Sequence, residues 1–107
     1  MKELAKIIKA LGDANRLAII HAIGKSSRSV TKIIQETGLS QTLVSFHLRV
    51  MREKGIVTTK RDGPFIYYRL ITPELYDLLG ELSRIAGIEN DITRATPSLE
   101  IVKQNKR

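Results

Sequence analysis

Short polar side chains followed by a cation make residues 40–55 the part of the chain best suited to chemistry with a partner. In a helix, Gln41, Thr42, Ser45 and Arg49 fall outside the apolar stripe. Their amide, hydroxyl and guanidinium groups match the donors and acceptors that base edges present in the major groove of DNA. An ordinary amphipathic surface helix has the same pattern, so this stretch alone leaves both interpretations open.

A helix with both ends marked must carry these side chains. Ser40 is a good N-cap because its hydroxyl accepts a free backbone N–H of the first turn, and Gly55 is a good residue to follow the last turn. Val44, Leu48 and Met51 follow the i, i+4, i+7 rule and predict one buried stripe. The polar groups are therefore expected on the opposite side.

The charge balance points to a polyanionic partner. The chain of 107 residues has 18 basic and 11 acidic side chains, a net charge of +7 and a pI near 10.0, which suits one domain that binds nucleic acid. Residues 40–69 contain six basic and two acidic residues, a net of +4, whereas residues 74–91 contain one and five, a net of −4. This polarity is typical of a protein with one DNA-facing side.

The same totals exclude several classes of site. No cysteine is present, so disulfides and thiolate metal sites are excluded. No apolar run approaches the roughly 20 residues that span a bilayer, and lysines interrupt the N-terminus, so we expect a cytoplasmic protein without a membrane partner. No Gly-rich phosphate loop and no nucleophile with a base at recognisable spacing occur, so we do not expect an enzyme.

Periodicity predicts further elements around the central helix. We expect helices over residues 3–11, 14–23 and 30–37, strands over 56–60 and 65–70, and a last helix capped by Thr72 with Pro73 at its first position. The fold class is mainly α with a small β-hairpin: a winged helix-turn-helix in the order α-α-α-α-β-β-α, dimeric. We assign residues 1–88 to this domain and 89–107 to a partly flexible C-terminal extension.

The hairpin after the central helix reads as a wing with a basic tip. Residues 61–64, Arg-Asp-Gly-Pro, have turn chemistry, and Lys60 and Arg61 at the tip could reach phosphates or the minor groove. The alternative is a solvated hairpin with ordinary surface charges.

The first and last helices carry more leucine and isoleucine than a domain of this size needs for its own core. This surplus suggests a self-association surface, unless the two helices pack only on each other within one chain. The dimer-interface residues that we predict are Leu4, Ile7, Ile8, Leu75, Leu78, Leu79 and Leu82.

The order of elements and several motifs together resemble the ArsR/SmtB family of winged-helix repressors. The matching segments are residues 11–20 (LGDANRLAII), 38–41 (GLSQ), 44–45 (VS), 47–57 (HLRVMREKGIV), 63 (G) and 67–70 (YYRL). The resemblance implies a homodimer built from the first and last helices, recognition helices in successive major grooves, and repression of a promoter.

The chain departs from this family where its members sense metals. Ser29 and Thr31 stand where arsenite and soft-metal sensors have a Cys-X-Cys pair, and the last helix has Glu74, Asp77 and Glu81 but no histidine. We therefore predict no transition-metal site and no cofactor.

The central helix also departs from the family at two positions. Leu43 and Phe46 replace residues that are commonly polar there. Either could touch a thymine methyl or pack under the wing, and for Phe46 we favour packing.

These observations predict a sequence-specific DNA-binding transcriptional regulator, a repressor that acts as a homodimer on a palindromic operator in double-stranded DNA. The alternative is a winged-helix module for protein–protein interaction. The sequence identifies no effector. The DNA-binding residues that we predict are Ser40, Gln41, Thr42, Ser45, Phe46, Arg49, Lys60 and Arg61.

Overall fold

The computed structural model describes residues 1–88, so the predicted C-terminal extension lies outside the described residues. The elements follow in the order α1 (Lys2–Leu11), α2 (Ala14–Ile23), β1 (Arg28–Ser29), α3 (Val30–Thr37), α4 (Gln41–Glu53), β2 (Val57–Asp62), β3 (Phe65–Leu70) and α5 (Glu74–Ile85). The chain divides into two compact units, Met1–Pro73 and a second that begins at Glu74. Within residues 1–88, no helix has the length and apolar character needed to span a bilayer.

The predicted fold class is confirmed, and side-chain caps mark the beginnings of α2 and α3. The Asp13 side chain accepts a hydrogen bond from the Arg16 N–H and begins α2, and the Ser29 hydroxyl accepts one from the Lys32 N–H and begins α3. Gly24 and Gly38 end the same two helices at positive φ. Local capping therefore decides where these helices begin and end.

The first unit is organised around one apolar core, and its largest buried side chains come from α2, α3, α4, β2 and β3. Its fully buried side chains are Ile19, Ile20, Ile23, Val44, Ile33, Leu48, Met51, Val57 and Leu70. Within α2, Ile19, Ile20 and Ile23 are fully buried, whereas Leu17 is half-buried. Neighbouring isoleucines are both buried because α2 is covered on more than one side.

The wing is a hairpin with a tighter tip than the sequence predicts. β2 and β3 pair in antiparallel register from Val57 opposite Leu70 to Asp62 opposite Phe65. Only Gly63 and Pro64 remain in the turn, with Gly63 at φ 62°. A positive φ followed by the fixed negative φ of proline matches a two-residue type II′ turn, which suits the twist of a hairpin.

A third strand, which the sequence does not predict, completes the sheet in the order β1-β3-β2. Arg28 pairs with Tyr68 and Ser29 pairs with Tyr67 in antiparallel register. Two residues are too few to show a period of 2, so this strand leaves no periodic signal in the sequence. The hairpin is therefore stabilised along its β3 edge as well as through the core.

The second unit contains α5, which ends in a glycine motif. Gly87 has φ 77°, the Ile88 N–H donates to the Ser83 carbonyl at 2.9 Å, and the Gly87 N–H donates to the Arg84 carbonyl at 3.0 Å. Leu79 and Ser83 are buried, whereas Leu78 and Leu82 are exposed. The apolar stripe of α5 is thus divided between buried and exposed positions.

Candidate nucleic-acid interface

A tight turn fixes the angle between α3 and α4. Gly38 adopts the left-handed conformation at φ 73°, and its N–H donates to the Ile34 carbonyl at 2.9 Å. The next N–H, that of Leu39, donates to the Thr37 hydroxyl at 3.2 Å. The N–H groups of Gly38 and Leu39 are thus satisfied within the turn, and α4 begins directly after it.

Both ends of α4 are closed by local hydrogen bonds. The Ser40 hydroxyl oxygen accepts from the Leu43 N–H at 3.1 Å. At the other end Gly55 has φ 74°, and the Ile56 N–H donates to the Met51 carbonyl at 2.8 Å in a Schellman-type ending. Met51 and Ile56 are both buried, so this ending also anchors the start of the wing.

α4 presents two different faces. Val44, His47, Leu48 and Met51 are buried against the core. All six residues of α4 and its N-cap that were predicted to contact DNA are exposed: Ser40, Gln41, Thr42, Ser45, Phe46 and Arg49. The structure therefore brings these predicted side chains together on the solvent side of one helix.

A polar contact that the sequence analysis missed ties α4 to the beginning of α2. An Arg16 guanidinium nitrogen lies 3.2 Å from His47 Nδ1, and the Arg16 Nε donates to the Ala10 carbonyl. Since arginine can only donate, Nδ1 of His47 must accept, which leaves the proton of the neutral ring on Nε2. The Arg16 N–H hydrogen bond is the main reason the pKa of the Asp13 carboxyl is lowered, and the positive charge of Arg16 adds to the effect.

His47 could have been assigned to the buried side from spacing alone. It follows Val44 by three residues and precedes Met51 by four, so it belongs to the buried stripe of α4. Its partner could not be predicted, because Arg16 is 31 residues away in the sequence. His47 therefore lies on the buried side of α4 and is not part of its exposed face.

The predicted wing cations are both exposed, and they lie on opposite faces of the ribbon. Lys60 is paired with Tyr67, and Arg61 is paired with Ile66. Successive residues of a strand alternate between faces, so Arg61 shares the face that carries the buried Val57, whereas Lys60 points the other way. The wing can therefore present positive charge on both sides of its tip.

Phe46 is 46% exposed, which is more than packing beneath the hairpin would leave. Its ring makes an edge-on contact with His47, with centroids 5.1 Å apart and planes at 71°. The Arg49 guanidinium carbon lies 5.9 Å from the ring centroid, within the range of a cation–π contact. These observations do not agree with our preference for a packed Phe46.

The apolar residues predicted for self-association fall on α1 and α5. On α1, Leu4, Ile7 and Ile8 are all exposed. On α5, Leu78 and Leu82 are exposed, Leu75 is half-buried and Leu79 is buried. In the part of the chain that the structure describes, no three His, Asp or Glu side chains are grouped so that they could hold a metal ion.

Comparison with known proteins agrees with this arrangement. Residues 13–59 match the family described as bacterial regulatory protein, arsR family. The nodulation protein NolR of Rhizobium meliloti is 32% identical over 93 residues, which cover 87% of this chain and 76% of that protein. The biofilm growth-associated repressor of Xylella fastidiosa is 34% identical over 83 residues, 78% of this chain and 73% of that protein.

A solved structure is similar over most of the same region. The solution structure of a homodimeric winged helix-turn-helix DNA-binding domain from Mycobacterium bovis superposes with a TM-score of 0.70 at 26% identity, and the match covers 87% of this chain and 84% of that one. The chain therefore belongs to the arsR family of bacterial regulatory proteins and is a winged helix-turn-helix transcriptional regulator.

Proposed function

We propose that the protein is a homodimeric repressor that binds a palindromic operator with α4 in the major groove and the wing on the adjacent backbone. The observation that carries this proposal is the division of α4 into a buried stripe and an exposed face of hydrogen-bonding groups. A helix fits the major groove, and base edges there present a distinct donor and acceptor pattern for each base pair.

The exposed groups of α4 have distinct roles. Gln41, Thr42 and Ser45 offer amide and hydroxyl groups to base edges, and Arg49 offers a guanidinium to a base or a phosphate. The Ser40 oxygen already accepts the Leu43 N–H, but its own O–H is still able to donate to a phosphate. The N-terminal half of α4 is thus the base-reading part.

The wing supplies contacts that do not depend on sequence. Lys60 and Arg61 are exposed on opposite faces near the tip, where they can neutralise phosphates on either side of the ribbon. Each neutralised phosphate steepens the dependence of affinity on salt. The wing therefore contributes affinity, while α4 contributes specificity.

Self-association makes the site two-fold symmetric. Exposed apolar side chains on α1 and α5 are suited to contact a second copy, and the similar domain from Mycobacterium bovis is a homodimer. A two-fold axis presents two copies of α4 to the DNA, so half-sites should repeat about one helical turn, ~34 Å, apart. Because the proposed target is double-stranded DNA, we place the protein in the cytoplasm.

The experiment that tests the function is selection of bound DNA from a random pool, repeated at several salt concentrations. We expect a palindrome with half-sites about one turn apart to be enriched at every salt concentration. Failure to enrich any sequence would reject specific DNA recognition and favour the protein–protein interaction module. Sedimentation of a monomer that gains order only with a protein partner would support that second function.

Role assignment is tested on the selected site with two substitutions. Gln41→Ala should relax specificity: the free-energy preference for the correct base pair at the position that Gln41 contacts should fall by about 1–3 kcal/mol, and the preferences at other positions should not change. Arg61→Ala should weaken binding to all sequences and reduce the salt slope by about 1. Lys6→Ala removes an exposed cation from α1 and serves as the matched control, with no change in slope expected. Equal losses for the first two variants on specific and random DNA would contradict the division of roles.

A further inference from the structure

Phe46 lies near the middle of the exposed face of α4 and not at its edge. An α-helix turns by about 100° per residue, so Phe46 is aligned with Thr42, four residues before it, and Arg49, three residues after it. The buried residues Val44 and Met51 lie on the opposite side of the helix. An aromatic ring therefore occupies the position where a helix in the major groove comes closest to the base edges.

The contacts of Phe46 that the structure describes leave much of its ring open. Its ring neighbours, His47 and Arg49, belong to the same helix, and the side chain is 46% exposed. Phe46 is thus flanked by polar groups suited to DNA and is itself unsuited to hydrogen bonding.

The chemistry of the major groove specifies what such a ring can contact. Every base edge there presents hydrogen-bonding groups, and the C5-methyl of thymine is the apolar group among them. An aromatic ring that enters the groove on a line with Thr42 and Arg49 gains free energy from that methyl and loses it against polar edges.

We propose that Phe46 is a specificity-determining residue that packs against a thymine methyl group in each half-site. The proposal rests on the proposed function, because it requires α4 to lie in the major groove. It adds a second mode of reading to the hydrogen bonds of Gln41, Thr42 and Ser45, and it makes thymine the preferred base at the position that Phe46 contacts in each half-site.

The test removes the methyl without altering the hydrogen bonds. Each thymine of the selected operator is replaced in turn by deoxyuridine, which keeps the pairing and the O4 acceptor, and binding is measured for the full-length protein and three variants. At one thymine per half-site the unchanged protein should bind about fourfold more weakly per methyl removed, the effect expected for one buried methyl group. Phe46→Ala should bind the thymine and deoxyuridine sites equally, and Phe46→Leu should keep part of the difference.

Leu43→Ala is the matched control. Leu43 is also apolar and similarly exposed at 40%, but it lies further round the helix towards the buried stripe. This variant should retain the fourfold discrimination. Coupling of the methyl to Leu43 and not to Phe46 would overturn the proposal.

The remaining outcomes separate this proposal from the function on which it rests. If no operator is enriched, the proposed function fails and the Phe46 proposal falls with it. If an operator is enriched but no deoxyuridine substitution couples to Phe46, the function stands and the Phe46 proposal is wrong. A constant thymine-to-deoxyuridine ratio, with Phe46→Ala weakening both sites equally, would show that Phe46 only orients Arg49 or supports the fold. Thermal unfolding of each variant separates these two causes, because a role of Phe46 in supporting the fold would lower the Tm of Phe46→Ala.

Discussion

Replacing Gly55 with alanine tests how the connection between α4 and the wing contributes to stability. Gly55 has φ 74°, and the Ile56 N–H that follows it closes α4 by donating to the Met51 carbonyl. An L-residue can keep this hydrogen bond only in the left-handed conformation, which crowds its Cβ against the backbone. The substitution therefore raises the conformational free energy of the backbone at residue 55 without removing any side-chain contact.

The expected magnitude follows from the geometry. A Cβ at Gly55 would meet nothing within 4 Å, so no steric clash with the rest of the structure adds to the cost. The left-handed backbone costs about 1–2 kcal/mol, and the lower entropy of the unfolded alanine chain returns about 0.4–1 kcal/mol. We expect Gly55→Ala to lower the free energy of unfolding by about 1 kcal/mol, a decrease in Tm of about 5 °C for a chain of this size.

Two variants make this measurement decisive. Gly55→Asn should lose less, because asparagine adopts the left-handed conformation more readily. Gly80→Ala should gain about 1 kcal/mol, because Gly80 is inside α5 and a Cβ there also meets nothing within 4 Å. Unfolding in urea at one fixed protein concentration gives all three values. If Gly55→Ala is as stable as the parent, or if asparagine costs as much as alanine, the conformational argument is wrong.

Three further perturbations have expected outcomes. Arg16→Ala should lower the free energy of unfolding in urea by about 1–3 kcal/mol, because it leaves His47 Nδ1 buried without its donor, and Arg16→Lys should not restore the loss. Burial lowers the pKa of His21, so on acidification the imidazole is protonated in the unfolded chain before it is protonated in the folded one. The free energy of unfolding should therefore fall as the pH drops below about 6.5–7. His21→Gln should reduce this part of the pH dependence, and a variant with the same pH profile as the parent would contradict the prediction. Ile8→Asp or Leu82→Asp should convert the dimer to a monomer in sedimentation equilibrium and weaken operator binding, with far-UV circular dichroism unchanged. A dimer that survives both substitutions would place the interface elsewhere.

The parts of the fold that the sequence predicts are those decided by neighbours along the chain. Asp13 and Ser29 accept hydrogen bonds from N–H groups three residues later, so α2 and α3 begin where their caps predict. The strand β1 could not be predicted, because its two residues are recruited by pairing with Tyr67 and Tyr68 far along the chain. Secondary structure that depends on distant pairing leaves little local signal.

The candidate site shows the same division between local and distant information. Helical spacing placed the polar face of α4 correctly opposite Val44 and Met51, because the period of an α-helix is fixed. Spacing could not show that Arg16 supports His47, nor that the wing would leave Phe46 exposed. Those two facts depend on how separate elements pack in three dimensions.

The short strand β1 also has a consequence for how the protein opens. β1 precedes α3 and β2 follows α4, and both strands pair with β3. Each end of the helix-turn-helix segment is therefore joined along the chain to a strand of the same sheet. Neither helix can leave the core without straining a strand at its own end. The amides of α3, α4 and β3 should therefore exchange with solvent as one cooperative group, with a common opening free energy. In native-state hydrogen exchange, the amides of α4 and of the sheet should then lose their protection in the same opening event.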